Sequence, residues 1–215
     1  MKRFLIPLVL CCTAIWSCDV KSTYSASNVY DIVTAEGKYL VNDYGVMFNV
    51  VSNESTVKNW QEEGARYFMN FDILNQDMDI TIKSLDRFTI FTPQDLPEDG
   101  LTTGDPIIMQ FARLSTFAVD LNVAYYRSKT STFTPVLSCY SEGSKLYLHL
   151  DGNGENPVNM DKEQLITESR FISIPLTEAQ KADLENITLS ADVLAQDDNG
   201  EYVIYPYTGN VAVYY

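Results

Sequence analysis

The stretch ARYFMNFDIL, residues 65–74, sets the fold class. Tyr67, Met69, Phe71 and Ile73 fall on one face and Arg66, Asn70 and Asp72 on the other, the period-two pattern of a strand with one face in a core and one in water. The rhythm recurs in DMDITIK (77–83), with Met78, Ile80 and Ile82 inward. In FAVDLNVAYY (117–126), Phe117, Val119, Leu121, Val123 and Tyr125 oppose Asp120 and Asn122. In KLYLHLD (145–151), Leu146, Leu148 and Leu150 oppose Tyr147, His149 and Asp151. Half-buried strands of this kind belong to antiparallel sheets.

Turn chemistry agrees. SEGSK (141–145) separates two strand patterns, and DDNGEY (197–202) sets Asn199-Gly200, a strong hairpin signal, between LSADVLAQ and EYVIY. Helix is sparse. Thr177 with Gln180 three residues on forms a capping box and opens one short helix through about residue 185. DKEQLI (161–166) offers a second, weaker helical pattern. TPQDLPEDGLTTGDP (92–106) holds three prolines, two glycines and four acids with little to bury, so it reads as a connector between cores. The expected organisation is all-β: a small barrel over 28–95, a linker over 96–103 and an antiparallel sandwich over 104–215.

The first residues read as an address. Lys2 and Arg3 precede an apolar run from Phe4 to Trp16, and Ser17 stands just before Cys18, the order of a secretory signal over 1–17. A helix over that run spans about 20 Å, short of a hydrocarbon core of roughly 30 Å. Ile15-Trp16-Ser17-Cys18 matches a lipobox, in which the thiol of Cys18 is acylated and becomes the new N-terminus; ordinary secretory cleavage nearby is the alternative. Residues 18–27 then form a short polar tether.

Charge and cysteine count narrow the function classes. The chain carries 15 basic and 29 acidic residues, a formal charge of −14. Loss of Lys2 and Arg3 leaves 13 bases against 29 acids, or −16, which repels phosphate backbones and argues against a nucleic-acid partner. With Cys11 and Cys12 removed and Cys18 acylated, Cys139 is left without a disulfide partner, so stability rests on burial.

Candidate chemistry is thin. His149 is the only histidine, with Tyr147 and Asp151 on its face, and its simplest reading is a surface residue of a strand. Cys139, in PVLSCYS, would need to pair with His149 across a hairpin to act as a nucleophile, yet it sits in an apolar strand without an electropositive setting. DGNGEN (151–156) lacks the EF-hand Gly and Glu, placing Asn156 and Lys162 there. A looser oxygen-lined site on Asp151, Asn153 and Glu155 is the alternative to a plain polar loop. The expectation is no catalytic residue, no metal and no cofactor. Of fourteen tyrosines, Tyr202, Tyr205, Tyr207, Tyr214 and Tyr215 crowd the C-terminal segment and form the candidate binding surface, although sheet cores and edges also use tyrosine heavily.

With these residues in view, the chain resembles the NigD-like family, lipoproteins of the Bacteroidetes cell envelope. The points of similarity are GARYFMNFDIL (64–74), Thr92-Pro93, GDPI (104–107) and FAVDLNVAYY. The resemblance implies an N-terminal OB-like barrel, a C-terminal β-sandwich, and a lipid anchor in the cell envelope, at the outer membrane. It implies no reaction. The expected role is binding or scaffolding of an envelope protein or glycan. The alternatives are protection against a bacteriocin, which the family name suggests, and a hydrolase built on acids that the sequence does not single out.

Overall fold

The computed structural model describes residues 24–53 and 60–211. Cys18, Tyr214 and Tyr215 lie outside the described residues. Five strands, β1 (Ala26–Glu36), β2 (Tyr39–Asn42), β3 (Met47–Asn53), β4 (Arg66–Ile73) and β5 (Asp79–Arg87), close into a barrel in the order β1-β2-β3-β5-β4. The predicted inward face of β4 is the barrel interior: Tyr67, Met69, Phe71 and Ile73 pack with Val33, Leu40, Phe48, Ile80 and Ile82. Register shifts in β1, β3 and β5 supply the bends that closing a small sheet demands.

The chain changes cores at Phe88, which is buried. Strands β6 (Thr89–Ile90), β7 (Gln94–Asp95), β8 (Ile108–Leu114), β9 (Ala118–Ser128), β10 (Val136–Glu142), β11 (Lys145–Asp151), β12 (Leu165–Pro175), β13 (Thr188–Gln196) and β14 (Tyr202–Asn210) form two sheets, ordered β14-β13-β11-β10-β7 and β6-β12-β9-β8. Their facing sides share one core, with Leu121, Val123, Ile172 and Ile174 of the smaller sheet against Leu146, Leu148 and Leu189 of the larger. Both predicted hairpins are present, β10–β11 and β13–β14. Gly200 closes the second with φ at 81°, and Asp197 Oδ1 accepts from the Asn199 and Glu201 amides. The capping box forms as read: Thr177 accepts from the Gln180 amide and Gln180 from the Thr177 amide, starting helix α1 (Glu178–Lys181). Residues 162–164 make only a single 3₁₀ turn before β12 begins.

Three side chains depart from the alternation pattern, and all three lie where the barrel meets the smaller sheet. Arg66 and Asp120 were expected in water, yet Arg66 is 7% exposed and Asp120 0%. The face of β8-β9-β12 turned away from the sandwich core is covered by the outer face of β1 and β4, so both faces of β9 are dry there. Arg66 Nε and Nη2 donate to Asp120 at 2.9 and 2.6 Å, and Nη1 and Nη2 donate to Asp43 at 2.8 Å each. Beside this ionic group, Phe68 of β4 stacks 5.5 Å from Phe171 and lies 5.5 Å from Phe111, while Tyr30 flanks it at 5.8 Å. Phe117 goes the other way and is 56% exposed. The Ser115 hydroxyl accepts from the Phe117 and Ala118 amides, making a turn, so β9 begins one residue later and the alternation does not govern Phe117.

Removing the guanidinium strands two buried carboxylates, a loss of about 3–5 kcal/mol for a broken buried pair. Arg66→Met is therefore expected to lower the urea midpoint of unfolding steeply. Arg87→Met, which breaks the exposed pair with Glu62, is expected to leave the urea midpoint nearly unchanged, because water screens that pair.

Candidate binding cleft

The seam between barrel and smaller sheet opens into a cleft of about 460 Å³, within the roughly 300–1,000 Å³ range of ligand sites. The barrel contributes Glu36 at the end of β1, Val41 of β2 and the Asp43–Gly45 turn; the sheet contributes Ile90, Phe117, Ser173 and Pro175. Its walls are mainly apolar. Ile90 at the rim is 53% exposed, as is Phe117 to a similar degree. Gly45 and Gly64 line the mouth with φ at 79° and 74°, and nothing lies within 4 Å of the place a Cβ would take at either, so the opening is unobstructed there.

Arg66 lies at the base, held in place by its carboxylates. Its Nη1 also reaches Thr34 Oγ1 at 3.3 Å, so all five guanidinium N–H groups are engaged. Burial alone would lower the affinity of Arg66 for its proton, but hydrogen bonds to Asp120 and then Asp43 reverse the effect and raise its pKa above the ordinary value. The group is a fixed cation with no donor left for a ligand anion. Arg113 extends the network, bonding Asp31 at 3.2 Å and lying 3.5 Å from Asp43.

Two lining groups are uncommitted among the described residues. The hydroxyl of Ser173, a residue only 1% exposed, has no hydrogen-bond partner, and the Glu36 carboxylate has neither an ion pair nor a hydrogen bond. Neither was singled out from the sequence. Ser173 reads as an ordinary strand residue, and Glu36 as half of a Glu-Gly turn.

The residues that were singled out lie elsewhere. Cys139 pairs with Leu148 and His149 with Ser138, so the thiol and the imidazole belong to opposite faces of the β10–β11 hairpin. Burial pushes the Cys139 thiol up to about 12. His149 packs against Gly104, where a Cβ would approach Nδ1 to 2.9 Å. The Gly104 amide donates to Asp192, and Asp105 Oδ2 accepts from the Gly152 and Gly154 amides at 2.8 and 2.9 Å. GDPI and DGNGEN are thus two halves of one structural clasp, in which backbone N–H groups hold a carboxylate of the protein itself. Glu155 is likewise occupied: hydrogen bonds from Ser131 and from the Ser128 amide hold its carboxyl below the usual range. Among the described residues no group of three or more His, Cys, Asp or Glu side chains gathers where it would hold a metal.

The C-terminal tyrosines divide. Tyr207 packs against the sandwich core, and a Cβ on Gly209 would collide with its ring. The Tyr202 hydroxyl is 3.4 Å from that of Tyr126, with the Lys162 ammonium 5.2 Å from its ring centre, and Lys162 draws its pKa below the ordinary value. Tyr205, at 41% exposure beside Val203 and Ile204, presents the free surface of this group.

No protein-family model matches the chain, and no curated protein matches it. Among solved structures it is similar to a protein of unknown function, DUF1344, from Bacteroides vulgatus ATCC 8482, at 17% identity and a TM-score of 0.55, covering 86% of this chain and 91% of that one. It is similar also to a NigD-like immunity protein from Bacteroides caccae ATCC 43185, at 16% identity and a TM-score of 0.55, covering 86% and 98%. The resemblance to the NigD-like family holds at the level of fold.

A thiol titrating near 12 leaves about one thiolate in ten thousand at pH 8. Cys139 is therefore expected to resist maleimide in the native protein and to react readily in urea, as peptide mapping of the labelled cysteine would show.

Proposed function

We propose that this protein is a lipid-anchored component of the cell envelope, at the outer membrane, that binds an envelope protein or glycan and carries out no covalent chemistry. The observation that carries the reading is the cleft itself: it is large enough for a ligand, and its deep charges are paired within the protein. Of the groups that would do hydrolysis, Asp43 and Asp120 are both tied to Arg66, the Cys139 thiol is buried in the sandwich core, and His149 does not line the cleft. The anchor is argued from the lipobox at Cys18 and from reach. Strand β1 starts at Ala26, inside the segment expected as tether, and eight residues from 18 to 25 extend to at most about 29 Å. A body so attached stays beside the bilayer, and a diacylated or triacylated cysteine supplies the durable hold that a single chain lacks.

A second reading is supported by the likeness to the NigD-like immunity protein: the bound partner is a bacteriocin, and binding protects the producing cell.

Radiolabelled palmitate is expected to enter the wild type in a bacteroidal host and not Cys18→Ala, with the variant leaving the membrane fraction. An unlabelled wild type, or a variant that stays with the membrane, would overturn the anchor. Deleting the gene is expected to raise sensitivity to a co-encoded bacteriocin if the second reading holds, and unchanged killing curves reject it.

A further inference from the structure

Resting on the reading of the cleft as a binding site, the geometry points to the kind of group it receives: a lysine or arginine side chain of a partner protein, its stem along the apolar walls and its head on the Glu36 carboxylate and the Ser173 hydroxyl. Each part of the lining contributes to this choice. Val41, Ile90, Phe117 and Pro175 offer surface to a hydrocarbon stem, and the exposed Phe117 ring also offers its negative face to a cation. The uncommitted polar groups are a carboxylate at the rim and a hydroxyl on a residue that is 1% exposed. The first accepts only; the second accepts readily from an ammonium or guanidinium.

Other ligand classes fit less well. An anion finds no cationic donor, because the hydrogens of Arg66 are already shared among Asp120, Asp43 and Thr34; the Ser173 hydroxyl alone is free to donate, in a lining that also carries the unpaired Glu36 carboxylate. A glycan presents many hydroxyls that need donors as well as acceptors, and this lining is mainly apolar. The charges lining the cleft are Glu36, Asp43 and Arg66, a net of −1, and it remains −1 when Asp120 and Arg113 behind them are counted. The chain as a whole carries −14, and −16 once Lys2 and Arg3 are removed, so the long-range field draws a basic partner toward the cleft and repels an acidic one.

The test uses the full-length acylated protein in detergent micelles. The probe is a fluorescein-labelled, capped peptide Leu-Arg-Gly-Leu-Arg-Gly-Leu-Arg, compared by anisotropy with the same peptide carrying citrulline for arginine, and with maltohexaose as competitor. The arginine peptide is expected to bind at least tenfold more tightly than the citrulline peptide at 50 mM salt, with the gap closing at 500 mM. Phe117→Ala and Glu36→Gln should each weaken it by about fivefold or more, and Ser173→Ala by about threefold. Asp198→Asn, which removes one charge at the exposed β13–β14 turn, should leave it unchanged. Unaltered thermal melts of the variants confirm folding. Equal binding of the citrulline peptide, losses matched by Asp198→Asn, or no binding of the arginine peptide at millimolar concentration would each overturn the inference. Competition by maltohexaose that disappears in Phe117→Ala would make the cleft a glycan site, sinking the choice of ligand while sparing the binding function. If immobilised wild type captures no envelope component from its host, the binding function itself fails.

Discussion

Arg66 gives up nearly all its water, and the cost of moving such an ion into a dry interior is recovered only when every N–H finds an acceptor. Here Asp43 comes from the barrel and Asp120 from the sheet beneath it, so a single guanidinium joins the two by charged hydrogen bonds of 2.6–2.9 Å. The net stability from such a group is small beside what its loss would cost. Its larger effect is positional, because the planar fork donates to two carboxylates in one plane only. The adhesive term is next to it, in the Phe68, Phe111 and Phe171 cluster, where each aromatic pair adds about 0.5–1.5 kcal/mol beyond its buried area. Aromatic rings hold the barrel on the sheet, and the ion group fixes where it sits.

The cleft is a by-product of that fixed seat. Its walls come from both sides of the seam, Glu36 and Val41 from the barrel and Phe117, Ser173 and Pro175 from the sheet, so any slip of one body on the other would close or split it. A preformed site avoids the ordering cost that weakens flexible ones. The ions that lock the seam also neutralise its deepest charges. What stays free is apolar surface, one carboxylate and one hydroxyl.

Alternation in 65–74, 117–126 and 145–151 was sufficient to read the strands, because a core on one side imposes a period of two. It reports that two faces differ, and it cannot report that the second face is covered by another part of the chain. Arg66 and Asp120 are 54 residues apart, and each letter alone reads as solvent-facing; their partnership appears only once β4 and β9 are set face to face. The segment 92–106 misleads in the same way. Its prolines and acids look like a free connector, yet β7 pairs with β10 and Asp105 holds the 151–156 loop. Tyrosine content is ambiguous for a different reason. The ring suits both core and surface, so Tyr67 and Tyr125 are buried, Tyr207 props the sandwich, and Tyr205 is left at the edge.

That edge bears on the proposal that recognition occurs at the seam. A closed barrel has no free strand edge, but β14 ends the larger sheet and carries exposed Val203, Ile204 and Tyr205, a template for an incoming strand. Pro206 obstructs it. The Asp192 carbonyl accepts from the Ile107 amide, on the side of β13 away from β14, so the backbone of Asp192 turns from β14, and that of its partner Pro206 turns to the open side. A missing N–H there costs the β13–β14 ladder nothing and deprives an added strand of a bond at the middle of the edge. Strand addition is thus blunted at this edge, which fits the proposal that a side chain inserts between barrel and sheet.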